Sequence, residues 1–296
     1  MRRAWAGSTA PAWRGLRRKA DEPGGSCRVA AADRGPGGGG ALIGFLAGLF
    51  GIGGGAISVP VFYETFQALG HPPEVAMPLA VGTSLAVIIP TSIQSSRGHL
   101  RRGTVDMALL RLWALPVLAG VAAGAVIARF AAPQVFQTIF VIVAAVNATK
   151  LLTGGSGWRL RDSLPGRAVL AAYGAVVGLL SALMGIGGGA ISTIVLTLHN
   201  VPIHRAVSTS AGVGVLVAIP GTIGYMIAGW GLPDLPADAI GFVSIATFAL
   251  TIPTSLLTTR FGVALAHRLS RAHLERAFGL FLLAVCLRFL VAIVAG

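Results

Sequence analysis

Two copies of Gly-Ile-Gly-Gly-Gly-Ala-Ile-Ser, at Gly51–Ser58 and Gly185–Ser192, stand out by residue type and spacing. Consecutive glycines permit positive φ and close backbone approach, so each string can turn the chain and restart a helix near Ala56 and Ala190. A helix start leaves four N–H groups without intrahelical partners and carries about half a positive charge. Such donors suit an oxyanion, and they avoid a charged side chain that would hold it too tightly. The first candidate anion-binding residues are therefore Gly53, Gly54, Gly55, Ala56 and Ser58, with Gly187, Gly188, Gly189, Ala190 and Ser192 in the second copy. Two such starts facing each other would supply roughly six to eight donors.

Further candidates are the hydroxyls of Thr83, Ser84, Thr209 and Ser210, which recur in both halves of the chain within apolar surroundings. A hydroxyl in such a helix commonly bonds back to its own carbonyls; the alternative is that these four line a path. Arg288 lies deep in the last apolar segment, too far past Leu274 for simple snorkelling. It either pairs with another helix, faces an anion pathway or lies near a segment end. Asn147 and Gln94 are lone amides suited to pairing between helices, whereas Lys150 and Arg111 lie close enough to segment ends to snorkel.

Other chemistries find little support. The six histidines and two cysteines show no metal-ligand spacing, so no metal or other cofactor is expected. No nucleophile–base pair is evident, which argues against an enzyme. Gly51-x-Gly53-x-x-Ala56 has the form of a dinucleotide fingerprint, but that motif needs a preceding strand and a soluble helix, and neither fits inside an apolar run. Gly44, Gly48 and Gly51 also match small-x-x-x-small helix packing. Packing accounts for the upstream glycines and leaves three consecutive ones unexplained.

The surrounding sequence must place these residues in lipid. The chain of 296 residues is 54% hydrophobic and 11% charged, against about a quarter charged in soluble proteins. A net charge of +13 comes without a basic reading helix. No nucleic-acid partner is expected; the Arg residues cluster between apolar segments in the positive-inside pattern. Residues 1–40 form a basic, Gly-rich stretch that predicts a disordered tail; a sharper alternative is translation from Val29. Eight apolar segments follow, roughly 41–69, 76–96, 106–130, 135–152, 167–198, 206–229, 238–260 and 275–296. Each is long enough to meet a ~30 Å hydrocarbon core. The expected fold is an all-α polytopic membrane protein with a first membrane repeat over 41–152, a linker over 153–166 and a second repeat over 167–296.

Charge decides how the segments thread. Eight plain crossings would put Asp234 and Asp238 inside and Arg260, Arg268 and Arg271 outside, inverting the charge rule. The inversion disappears if the fifth segment enters the membrane and returns, with the first segment treated likewise. Glu64 and Glu74 then fall in an outer loop. This predicts two inverted halves, each opening on a re-entrant hairpin whose arm of about 12 residues reaches ~18 Å, near the midplane. A local kink in a full crossing is the competing reading. The repeat continues through Gly44, Leu46 and Leu49, matched by Gly178, Leu180 and Leu183. Beyond it, one register aligns Val87–Pro90 with Val217–Pro220 and Gly82 with Gly212; a rival register pairs Thr83-Ser84 with Thr209-Ser210.

The pattern G-x-x-x-G-x-x-G-I-G-G-G near the start of each half resembles the sulfite exporter TauE/SafE family of membrane permeases. So do Gly82-Thr83-Ser84-Leu85, Arg101–Gly103 followed by Val105-Asp106, Ala218–Tyr225, and Pro253-Thr254-Ser255 with Gly262 and His267. The resemblance covers nearly all of 41–296. It implies a transporter of small anions, such as sulfite or organosulfonates, at the inner membrane and with no ATPase of its own. Thr193-Ile194 replaces Val59-Pro60 in the second copy, so the two arms need not be equivalent. The expected function is a secondary transporter working by alternating access at a midplane site; an anion channel and a non-catalytic subunit of a partner-dependent complex are the alternatives. An inside-negative membrane drives an anion outward, so export runs downhill, whereas import would need H+ or Na+ coupling. A homo-oligomer stays open. The lipid bilayer is the remaining partner.

Overall fold

A computed structural model describes residues 41–43, 45–46, 49, 55–153, 160, 163–232, 234–266 and 271–295. The expected tail over 1–40, most of the linker, Gly53, Gly54 and His267 lie outside the described residues. Long helices dominate the described part: α1 (Gly55–Ala68), α2 (Pro73–Arg101), α3 (Met107–Phe130), α4 (Pro133–Leu152), α5 (Arg167–Met184), α6 (Gly189–Leu198) and α7 (Ile203–Ala228). After a two-stranded turn formed by β1 (Ala239–Ile240) and β2 (Val243–Ser244) come α8 (Ile245–Ala266) and α9 (Arg271–Ala295).

Local sequence explains most boundaries. Proline opens α2 and α4 at the first helical position, where no intrahelical N–H is lost. Asp106 caps α3, its carboxylate accepting from the Leu109 N–H at 3.0 Å. Pro78, Pro90, Pro116, Pro220 and Pro253 lie inside helices, an arrangement that membrane helices tolerate better than soluble ones.

Six helices are long and apolar enough to cross a membrane: α2, α3, α4, α5, α7 and residues His273–Val294 of α9. Two shorter apolar helices, Gly189–Leu198 and Ile245–Ser255, accompany them among the described residues. The first segment contains α1, only 14 residues long, and the second half of the fifth is α6, only 10 residues long. The seventh segment does not begin as helix at 238. Gly241 takes φ 56 and packs against the Met226 carbonyl, so the chain turns there and α8 starts at Ile245. Glu64 belongs to α1 and Glu74 to the first turn of α2, not to a loop between them.

Long-range contacts define two ends of the bundle. At one end the α2 terminus meets the start of α7, with Ser208 Oγ 3.0 Å from His99 Nδ1, and Arg205 pairs with Asp106 at 3.2 Å. The end of α4 joins them, because Lys150 Nζ donates to Thr197 Oγ1 at 2.7 Å near the end of α6. At the opposite end Arg129, near the α3 terminus, donates to the Ala228 carbonyl at 2.6 Å, where α7 stops. The α1–α2 connection and the β1–β2 turn lie at this second end; Phe242 donates its N–H to the Tyr225 carbonyl at 3.1 Å.

Small residues bring the helices close. Gly120 and Gly124 on α3 pack on α5, and Gly174 and Gly178 on α5 pack on α3; a Cβ on Gly178 would overlap the Val117 carbonyl, and one on Gly120 the Ala175 carbonyl. This is the close backbone approach that replaces hydrophobic driving force in lipid. Helix α2 is the most enclosed of the spans, packed against α7 and α1, while α4 pairs with α9.

Candidate functional site

The second glycine string breaks its segment completely. Helix α5 stops because Gly185 adopts φ 64 and ψ 23, with the Ile186 N–H returning to the Ser181 carbonyl at 3.1 Å. Gly188, at φ 71, then serves as the N-cap of α6. Such left-handed positions favour glycine because a Cβ would meet the neighbouring carbonyl. Two of them within four residues reverse the chain. The reversal is visible at the far end of α6, where the Leu198 carbonyl accepts from the Leu160 N–H at 2.8 Å and the His199 ring lies 5.4 Å from that of Tyr173 in α5. From Tyr173 to Met184, α5 therefore runs antiparallel to α6 as a hairpin arm about 17 Å long.

The first string reaches the same place. Gly55 opens α1, and a Cβ on it would stand 3.0 Å from Ile186 Cα, 3.2 Å from the Gly185 carbonyl and 2.7 Å from Ile88 Cδ1. Gly187 would likewise strike Ile88, at 2.7 Å from Cγ2. Gly55 and the second glycine string thus meet beside Ile88, in the middle of α2. From there α1 and α6 run to opposite ends of the bundle, as do α2 and α7, α3 and α8, and α4 and α9.

Beside this junction lies a small cavity with room for about one water molecule. Its walls include Ala56 and Ala190, the residues that follow the two glycine triplets, together with Met184, Ile186 and Asn147. Gly189 is half-buried, and the space where its Cβ would stand is open. Asn147 was set aside as an interhelical amide on sequence grounds. Its Nδ2 donates to the Val143 carbonyl of its own helix at 2.8 Å, and the side chain lines the cavity. The signal is an amide within the apolar stretch Ile139–Ala148 of α4, but nothing local shows which neighbours it faces.

The hydroxyls divide by task. Ser84 donates to the Gly185 carbonyl at 2.8 Å and so supports the turn directly. Ser192 bonds back to the Gly188 carbonyl at 2.5 Å, and Ser58 is buried within the first turns of α1. Ser210 accepts from Thr193 Oγ1 at 2.9 Å, tying α7 to α6. Thr83 and Thr209 lie away from the junction and act alike. Thr83 accepts from the Ser244 N–H at 3.0 Å, just before α8, and Thr209 from the Asp106 N–H at 3.0 Å, just before α3. Arg288 is remote from all of these. Its guanidinium clamps Glu64 of α1, with Nε 3.0 Å and Nη2 3.1 Å from the two carboxylate oxygens, on a half-exposed flank.

Apolar spans, a broken segment that doubles back at Gly185–Gly188 and the approach of Gly55 to that turn together define a multi-pass membrane protein. The family model described as Sulfite exporter TauE/SafE matches residues 37–289, and the chain belongs to that family. It is 31% identical to a probable membrane transporter protein of Haemophilus influenzae over 84% of this chain and 94% of that one. It is 28% identical to a probable membrane transporter protein of Methanocaldococcus jannaschii, over 80% and 87% of the two chains. A Bacillus subtilis protein of the same description is 27% identical, over 64% and 77%. No solved structure matches the chain.

Proposed function

We propose that the chain is a secondary transporter of small anions, such as sulfite or an organosulfonate, that binds its substrate where the two glycine strings meet. The carrying observation is the approach of Gly55 to Gly185 and Ile186 beside the middle of α2. It sets Gly55, the first described residue of α1, beside the start of α6, whose unpaired N–H groups concentrate positive potential in a low-dielectric setting. The cavity between Ala56 and Ala190 is the space beside them.

The opposite directions of α1–α4 and of α6–α9 support two inverted repeats. Transport then proceeds by rocking one repeat against the other around a fixed site. Arg97, Arg101, Arg102, Lys150, Arg167 and Arg205 all belong to the end where α2, α4 and α6 finish. By the positive-inside rule that end faces the cytoplasm. An inner-membrane location and outward movement of the anion follow, because a potential of 100 mV favours exit of one negative charge by about 2.3 kcal/mol.

Flux of labelled sulfite into liposomes holding the purified protein tests the reading, with sulfate, an organosulfonate and chloride as competitors. The expected result is saturable sulfite uptake that falls in Gly189→Leu, a variant with open space for its side chain. Absence of saturable flux for every anion would overturn it.

A further inference from the structure

The turn that ends α5 covers a hydroxyl without a partner. Ser181 is fully buried, and its Oγ has no hydrogen bond among the described residues. The atom stands 3.6 Å from where a Cβ on Gly188 would be, and Gly188 is the N-cap of α6. A hydroxyl in an apolar helix ordinarily returns its proton to a carbonyl one turn back. Ser192, Thr197, Ser208 and Thr222 all do so. Ser181 does not. A buried polar atom left unpaired carries a desolvation penalty that native proteins offset with water or a ligand.

The same place offers other donors. The N–H groups of Gly189, Ala190 and Ile191 begin α6 and have no acceptor within the helix. Gly189 also has open space on its side-chain face. A lone hydroxyl and a helix start beside it form a donor set of two kinds, separated around one turn.

We propose that Ser181 is the side-chain donor of the anion site at the α6 start, and that the site takes a small anion bearing at least two oxygens. One oxygen sits on the N–H groups and a second accepts the Ser181 proton. This assignment rests on the anion-transport reading and specifies its substrate class. A neutral hydroxyl adds a directional bond without adding a full charge, so it selects an oxyanion while leaving release fast. Chloride presents a single centre and gains less from donors spread around the turn.

The test is thermal unfolding of the full chain in detergent, titrated with sodium sulfite or with sodium chloride at matched ionic strength. Sulfite is expected to raise the melting temperature of the wild-type protein. Ser181→Ala should melt at the same temperature or higher without anion, yet need about tenfold more sulfite for the same rise, as loss of a charge-assisted bond implies. Ser181→Cys, with a weaker donor, should fall between, and the chloride response should be unchanged in both. An unchanged sulfite midpoint in Ser181→Ala would overturn the assignment alone. So would an anion-free Ser181→Ala protein that is markedly less stable or fails to fold, since the hydroxyl would then be structural. No response of the wild-type protein to sulfite, sulfate or an organosulfonate would overturn the anion reading together with it.

Discussion

Ser84 and Gly185 are joined by a hydrogen bond of 2.8 Å, the Ser84 hydroxyl donating to the Gly185 carbonyl across 101 residues of sequence. Both residues are buried. The bond holds the mid-bundle turn of the second half against α2 of the first. Ser84→Ala leaves that carbonyl unsatisfied in the interior, which costs about 1–3 kcal/mol. A lowered melting temperature in detergent is expected, and an unchanged one would show the turn is held without the bond.

Two glycines close in sequence should respond in opposite ways. Gly178→Ala places a methyl against the Val117 carbonyl, so the α3–α5 contact must open and stability must fall. Gly189→Ala meets nothing within 4 Å, so the protein should fold as before. The larger Gly189→Leu should keep a near-native melting curve and lose transport. Comparing melting with flux for the three variants separates a packing glycine from one beside the proposed site.

Thr83 and Thr209 each satisfy an N–H just ahead of a helix in the other half. That shared task favours the register pairing Thr83-Ser84 with Thr209-Ser210 over the one pairing Gly82 with Gly212. Thr83→Val and Thr209→Val are expected to destabilise by similar amounts, on the order of 1–3 kcal/mol each. The sites share no partner, so the double variant should show the sum. Strongly unequal losses in the two melting curves would break the equivalence.

Arg288 stands on a flank, clamped to Glu64. Removing one partner strands the other charge, so Arg288→Met alone should reduce the yield of folded protein. Combined with Glu64→Met, which removes the stranded carboxylate, it should recover folding, since deleting both members leaves no unpaired charge. Sulfite flux of the double variant should match wild type. Low flux in a well-folded double variant would return Arg288 to the anion pathway.

Local chemistry decided what could be read from sequence alone. Apolar length and low charge dictate membrane helices. Consecutive glycines cannot sustain a helix, and this located the break that became Gly185–Gly188. Arg clusters between segments pointed to a fifth segment that doubles back, and the Leu160–Leu198 and Tyr173–His199 contacts show that it does. Partner choice was decided only by tertiary structure. Ser84, Thr83, Thr209 and Arg288 find partners 101, 161, 103 and 224 residues away. A hydroxyl or guanidinium in an apolar run carries the same local signal whether it supports a turn, holds a neighbouring helix start, clamps a carboxylate or waits for a ligand. Packing selects among those roles, because the free energy of a buried polar group depends on what stands opposite it.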